Sequence, residues 1–117
     1  MTTVVIKVDG QQITATLEEN AAARDFLALL PLTLTLEDYH RTEKISDLPA
    51  PLSTDGVPAG IDPEVGDITY YAPWGNLAIF YRDFGYAKGL VKLGHIDSGL
   101  ALLTGKSPFQ VTIERVE

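Results

Sequence analysis

The stretch Gly66-Asp67-Ile68-Thr69-Tyr70-Tyr71-Ala72-Pro73-Trp74-Gly75-Asn76-Leu77-Ala78-Ile79-Phe80-Tyr81 constrains this chain most. It reads as two strands joined by a tight Pro-Trp-Gly-Asn corner. Side chains in a strand alternate between faces, so Ile68, Tyr70 and Ala72 share one face and Thr69 and Tyr71 the other. By the same rule Leu77, Ile79 and Tyr81 oppose Ala78, Phe80 and Arg82. Both faces of the hairpin carry aromatic rings. One face has to fill an interior. The other either packs beneath a neighbouring loop or forms an exposed apolar surface, and such surfaces tend to mark binding sites. Trp74, the only tryptophan, stands at the corner, where it is either a plug or a contact.

Shorter segments repeat the alternating pattern. Thr3 to Val8 places Val4, Ile6 and Val8 on one face. Asp9-Gly10 supplies a hairpin turn, since both residues tolerate positive φ. Gln12 to Leu17 returns with Ile13, Ala15 and Leu17 inward. Asn20 then reads as an N-cap for a helix over Ala21 to Leu30. Ala22, Phe26, Leu29 and Leu30 form the helix's apolar stripe, and Pro31 ends it. Leu32, Leu34 and Leu36 alternate with Thr33 and Thr35 in a strand reaching Tyr39, and Thr42 to Ile45 makes a short fourth piece.

Leu48 to Pro63 holds Pro49, Pro51, Gly56, Pro58, Gly60 and Pro63 and reads as a long irregular surface loop, too rigid and polar to be core. Arg82 to Gly89 is a turn-rich crossing hinged at Gly85 and Gly89. Leu90 to Ile96 is a strand, Asp97 caps a short helix through Leu103, and Phe109 to Val116 is the last strand. About seven or eight short strands with regular turn signals suggest a mainly β fold, a closed barrel or a sandwich. One longer and one short helix suit the two open ends of a barrel, and closure removes the strand edges that invite aggregation.

Composition narrows the function classes. At 117 residues the chain is expected to form one domain with one core. Nine basic against sixteen acidic residues give a net charge of -7, which repels phosphate backbones, so nucleic acid is not an expected partner. The apolar run from Phe26 to Leu36 is broken by Pro31 and too short to span a membrane. The start carries no secretory signal, and a cytoplasmic location is expected. The absence of cysteine removes disulfides and thiolate chemistry. His40 with Glu43 makes no metal signature, and none of Ser46, Ser53, Ser98 and Ser107 sits on a nucleophile elbow. No cofactor and no catalytic residue is implied.

The hairpin sequence Gly66 to Pro73 followed by Gly75-Asn76, the helix Ala22 to Leu30, and Leu93-Gly94-His95-Ile96 with Asp97 to Leu100 together resemble the bacterial cyclophilin-like proteins. That resemblance spans nearly the whole chain. It implies an eight-stranded barrel capped by two helices, with a shallow groove on its outer face and no established activity. Tyr39-His40-Arg41 is similar to the Phe-His-Arg tripeptide of true cyclophilins, whose arginine stabilises the twisted prolyl amide. The Gln-Gly-Gly-Asp that follows in cyclophilins is replaced by Thr42-Glu43-Lys44-Ile45. Aligned with the cyclophilin groove, its glutamine and phenylalanine fall near Leu77 and Ile79 and its histidine near Leu90. On this reading the domain binds a small molecule or a proline-containing peptide through Tyr39, Arg41, Glu43, Tyr71, Trp74, Phe80 and Arg82, with Glu43 and Arg82 as polar anchors. Prolyl isomerisation and a purely structural or oligomerising role are the alternatives.

Overall fold

The computed structural model describes residues 1–116. Ten strands, one α-helix and one 3-10 turn follow in the order β1 (Thr2–Val8), β2 (Gln11–Leu17), α1 (Ala21–Ala28), β3 (Leu32–Tyr39), β4 (Glu43–Asp47), β5 (Gly60–Ile61), β6 (Asp67–Tyr71), β7 (Asn76–Phe80), β8 (Ala87–Lys88), β9 (Leu90–Ser98), the 3-10 turn Leu100–Leu103, and β10 (Phe109–Arg115). Eight strands close into an antiparallel barrel in the order β1-β10-β3-β4-β7-β6-β9-β2, and β5 pairs with β8 as a separate ribbon. The fold is therefore the mainly β closed barrel of eight strands that the family resemblance implies, and of the two architectures that the alternating segments allow, barrel or sandwich, it is the barrel.

The interior is the sum of the inward faces. Val4, Ile6, Val8, Ile13, Ala15, Leu17, Leu36, Ile68, Tyr70, Leu77, Ile79, Leu93, Val111 and Ile113 are buried in one continuous cluster. Asp9 and Gly10, at φ 49° and 78°, form the expected turn between β1 and β2, with Val8 opposite Gln11. The connection from β2 to β3 puts α1 at one mouth, where Asn20 caps it by accepting from the Ala23 amide at 2.8 Å. The connection from β9 to β10 puts the 3-10 turn at the other. Phe26 of α1 and Leu103 of the turn both join the core cluster.

Four local expectations need correcting. The helix stops at Ala28 rather than Leu30, with Leu29 as its C-cap. Asp97 caps nothing: β9 continues through it to Ser98, its carboxylate accepts from Thr16 Oγ1 at 2.7 Å, and the short helix is a single 3-10 turn entered at Gly99. The proline-rich stretch after Leu48 is not wholly superficial. Leu52 is buried in the core and its amide donates to the Tyr70 hydroxyl at 3.2 Å, while the Ser53 amide donates to Asp25 of α1 at 2.8 Å. The crossing before Gly89 contains β8, whose pairing with β5 ties both irregular segments together.

Candidate functional site

The outer face of β4, β7 and β6 carries what the barrel does not swallow. Pairing sets Glu43 opposite Phe80, Ile45 opposite Ala78, and Tyr71 opposite both Asn76 and Leu90. These residues share the outward face because they share a register, while Leu77 and Ile79 between them point inward. Ala78, Phe80 and Leu90 form a second, smaller buried cluster on this face, with Ile45, Ile61, Tyr71 and Ala87 packed against it. The β5–β8 ribbon and the segment leading into it wall one side. Gly60 makes that approach feasible: a Cβ there would lie 2.4 Å from the Ala87 carbonyl oxygen.

Together these elements enclose a groove of about 360 Å³, framed by the rings of Tyr39, Tyr71, Trp74, Phe80, Phe84 and Tyr86. The hairpin corner positions Trp74. The amides of both Trp74 and Gly75 donate to the Tyr71 carbonyl, at 3.2 and 2.9 Å, and Gly75 takes φ 67° to close the turn. Trp74 then stands nearly perpendicular to Tyr39 and Tyr71, with ring centroids 5.8 and 5.4 Å away, so the three rings form a corner rather than a stack. Trp74, Phe84 and Tyr86 remain 58%, 54% and 65% exposed, a rim of aromatic surface on an otherwise acidic protein.

Two buried polar side chains line the groove. Glu43 is only 8% exposed, and among the described residues nothing forms a hydrogen bond or ion pair with its carboxyl. Burial pushes that carboxyl up to about 7, because the charged form loses its water and gains no partner. Asn76 is 3% exposed; its Nδ2 reaches the Leu77 carbonyl at 3.4 Å, but its Oδ1 finds no donor.

Of the residues picked from the sequence, Tyr39, Glu43, Tyr71, Trp74 and Phe80 converge on this groove. Arg41 and Arg82 do not. They line a separate, open depression at the barrel mouth with Asp38, Lys44, Tyr81 and Lys106. The reason lies in the turn from β3 to β4. His40 and Arg41, at φ 52° and 55°, are its two central residues, closed by the Thr42 amide donating to the Tyr39 carbonyl at 3.1 Å. The Tyr39-His40-Arg41 tripeptide is thus a hairpin turn that carries Arg41 off the groove wall. Its amide donates to Asp38 at 3.0 Å. Asp38 also accepts from the Tyr81 hydroxyl and pairs with the buried Lys44 at 3.3 Å. That Tyr81 bond, then the Arg41 amide and Lys44, hold the Asp38 carboxyl below its ordinary range against some desolvation. Burial and the Asp38 carboxylate push the Tyr81 hydroxyl up to about 12.

The match of Leu77 and Ile79 to cyclophilin groove positions also needs correcting, since both side chains are fully buried inside the barrel. Their neighbours Asn76 and Phe80 face the groove instead, and Leu90 lines it. Asn76, Phe84, Tyr86 and Lys88 are groove residues that sequence reasoning missed. Phe84 and Tyr86 belong to the aromatic run after the hairpin, and that run was the available signal. His95 is held by the buried Asp67 at 2.9 Å, and among the described residues no group of three or more His, Asp or Glu side chains is placed to hold a metal ion. No helix among the described residues is long and apolar enough to cross a membrane.

Comparison with known proteins agrees with this architecture. No curated protein matches the sequence. A hypothetical protein from Archaeoglobus fulgidus, solved in solution, superimposes with a TM-score of 0.69 at 18% identity, covering 98% of this chain and 95% of that one. Identity that low speaks for a shared fold and nothing finer. Residues 6–114 match the sequence profile of the Cyclophilin-like family, and with its closed eight-stranded barrel the chain belongs to that family.

Proposed function

We propose that the protein is a binding module that takes a small molecule with a largely apolar body in the outer groove. The observation that carries this reading is the pairing of aromatic walls with two polar groups that find no partner among the described residues: Asn76 Oδ1, which is fully buried, and the carboxyl of the largely buried Glu43. Buried polar groups in folded proteins are nearly always partnered, so an orphan of this kind in a concavity calls for an explanation. A bound ligand supplies one. The volume falls within the range typical of small-molecule sites, and a few polar groups in an apolar pocket are what orient such ligands.

Prolyl isomerisation is the weaker reading. It asks for an arginine guanidinium beside the aromatic floor, and Arg41 and Arg82 both line the other depression. A soluble library of small aromatic and aliphatic molecules, followed through backbone amide NMR shifts, tests the proposal. Shifts concentrated at Tyr71, Asn76, Phe80 and Leu90 are expected. Shifts confined to the barrel mouth, or none with any compound class, would contradict it.

A further inference from the structure

Among the described residues three acidic or basic side chains are buried: Glu43, Lys44 and Asp67. Lys44 pairs with Asp38 at 3.3 Å and donates to the Lys106 carbonyl at 2.6 Å. Asp67 accepts from the Glu64 amide at 2.9 Å and meets His95 and Lys92 at 2.9 and 3.4 Å. Glu43 alone has no partner among the described residues, and it alone lies in the aromatic groove. A buried carboxylate needs a counter-charge, and removing its water is costly otherwise.

The walls narrow what that counter-charge can be. The groove surrounds Glu43 with π-faces, which attract cations electrostatically, and desolvation strengthens that attraction. A metal ion is a poor fit, because one carboxyl and one amide oxygen fall short of the oxygen ligands that hard cations require. A positive charge on an apolar body satisfies both the carboxylate and the rings. We infer that the groove's ligand is a small organic cation, an ammonium or quaternary amine, with its charge on Glu43 and its carbon body against Tyr39, Tyr71, Trp74 and Phe80. The inference rests on reading the groove as a ligand site and adds the chemical class. The protein's net charge of -7 favours encounter with cations. Lys88 at the rim is exposed and makes no ion pair with Glu43. Its flexible stem lets the ammonium stay in water, leaving the floor to a ligand.

Choline and its uncharged carbon isostere, 3,3-dimethylbutan-1-ol, make a matched probe pair. Each is titrated into the full chain while the Trp74 indole N–H and the Phe80 amide are followed by NMR. At pH 8 choline is expected to bind at least about tenfold tighter than the alcohol, the size of a charge-assisted contact. Choline cannot lose its charge, so its affinity follows ionisation of Glu43 and falls roughly tenfold from pH 8 to pH 6. The other titratable groups facing Glu43 are Tyr39 of β3, Tyr71 of β6, Tyr86 and Lys88 beside and on β8. Phenols and ammoniums as classes titrate above this window, whereas imidazoles do not. His40 abuts Tyr39 at 4.2 Å, so the pH series is repeated in His40→Gln, where the same slope is expected.

Glu43→Gln is expected to remove most of choline's advantage and all of its pH slope, leaving only the smaller preference that the rings supply. Lys88→Met, which leaves the floor intact, is expected to tighten choline. Equal binding of both probes to the unaltered protein, tighter choline binding at pH 6, or loss of the pH slope in His40→Gln overturns the inference. So does the absence of any response to choline. Neutral molecules still shifting the groove residues in that case would show that the ligand site stands and only its charge class was wrong.

Discussion

Glu43 lies where two constraints meet. Its position opposite Phe80 sends it outward, and the rings around it then strip away much of its water. With its carboxyl raised from about 4.5 to about 7, the folded state prefers the protonated form. The unfolded chain ionises this group from about pH 4.5, so stability is lost as pH rises from there to about 7, and the loss is complete above that. Glu43→Gln should therefore be more stable than the parent at pH 8, by about 2 to 3 kcal/mol, and equal to it near pH 4. Urea denaturation at the two pH values checks this, and equal stability at pH 8 would contradict it.

His40 and Arg41 store a different cost, since non-glycine residues in the left-handed region are disfavoured. Replacing the pair by Asn-Gly, the residues that two-residue turn prefers, should stabilise by about 1 kcal/mol without changing groove binding. Thermal unfolding with a choline titration tests both halves. Glu43 was legible in the sequence as a polar anchor. Its isolation was not, because a string of residues gives no count of the partners that folding brings near a side chain. Arg41 was misplaced because a tripeptide match ignores the φ that the turn imposes.

The hairpin β6–β7 was the most legible element, since its alternation and its Trp-Gly corner fix register and turn at once. One face indeed fills the barrel with Ile68, Tyr70, Leu77 and Ile79, and the other lines the groove with Tyr71, Asn76 and Phe80. A family alignment shifted by a single position was enough to misassign Leu77 and Ile79 to that groove, because a slip of one residue exchanges the faces of a strand. The β5–β8 ribbon was illegible: two-residue strands have no periodicity to read. It matters nonetheless, as it holds the segment carrying Tyr86 and Lys88. Gly60→Ala should push a methyl into the Ala87 carbonyl, costing about 1 to 3 kcal/mol as overpacking does. Faster hydrogen exchange at Gly89, whose amide donates to the Ala59 carbonyl at 2.8 Å, would report the loosened wall, together with weaker choline binding. Unchanged exchange at Gly89 would show that the ribbon is not held by that contact.

At the scale of the molecule, barrel closure separates two neighbourhoods of opposite character on the same few strands. Asp38, Lys44 and Tyr81 face the basic mouth, while Tyr39, Glu43 and Phe80, their immediate neighbours in sequence, face the aromatic groove. Alternation produces this division for these six residues. Arg41, in the β3–β4 turn, and Arg82, beyond the end of β7, line the mouth and not the groove, which is why the isomerase is the weaker proposal. A protease-coupled assay with a proline peptide should show no rate above the uncatalysed one; acceleration lost in Arg41→Ala would reverse that view. The account depends above all on a carboxyl buried without a partner. Titrating the side-chain carboxyl carbon of Glu43 by NMR in the ligand-free protein tests it most directly. A midpoint near 7 is predicted, falling when choline is added. A midpoint near 4.5 would mean that Glu43 is solvated or paired, and the case for the groove as a cation site would fall with it.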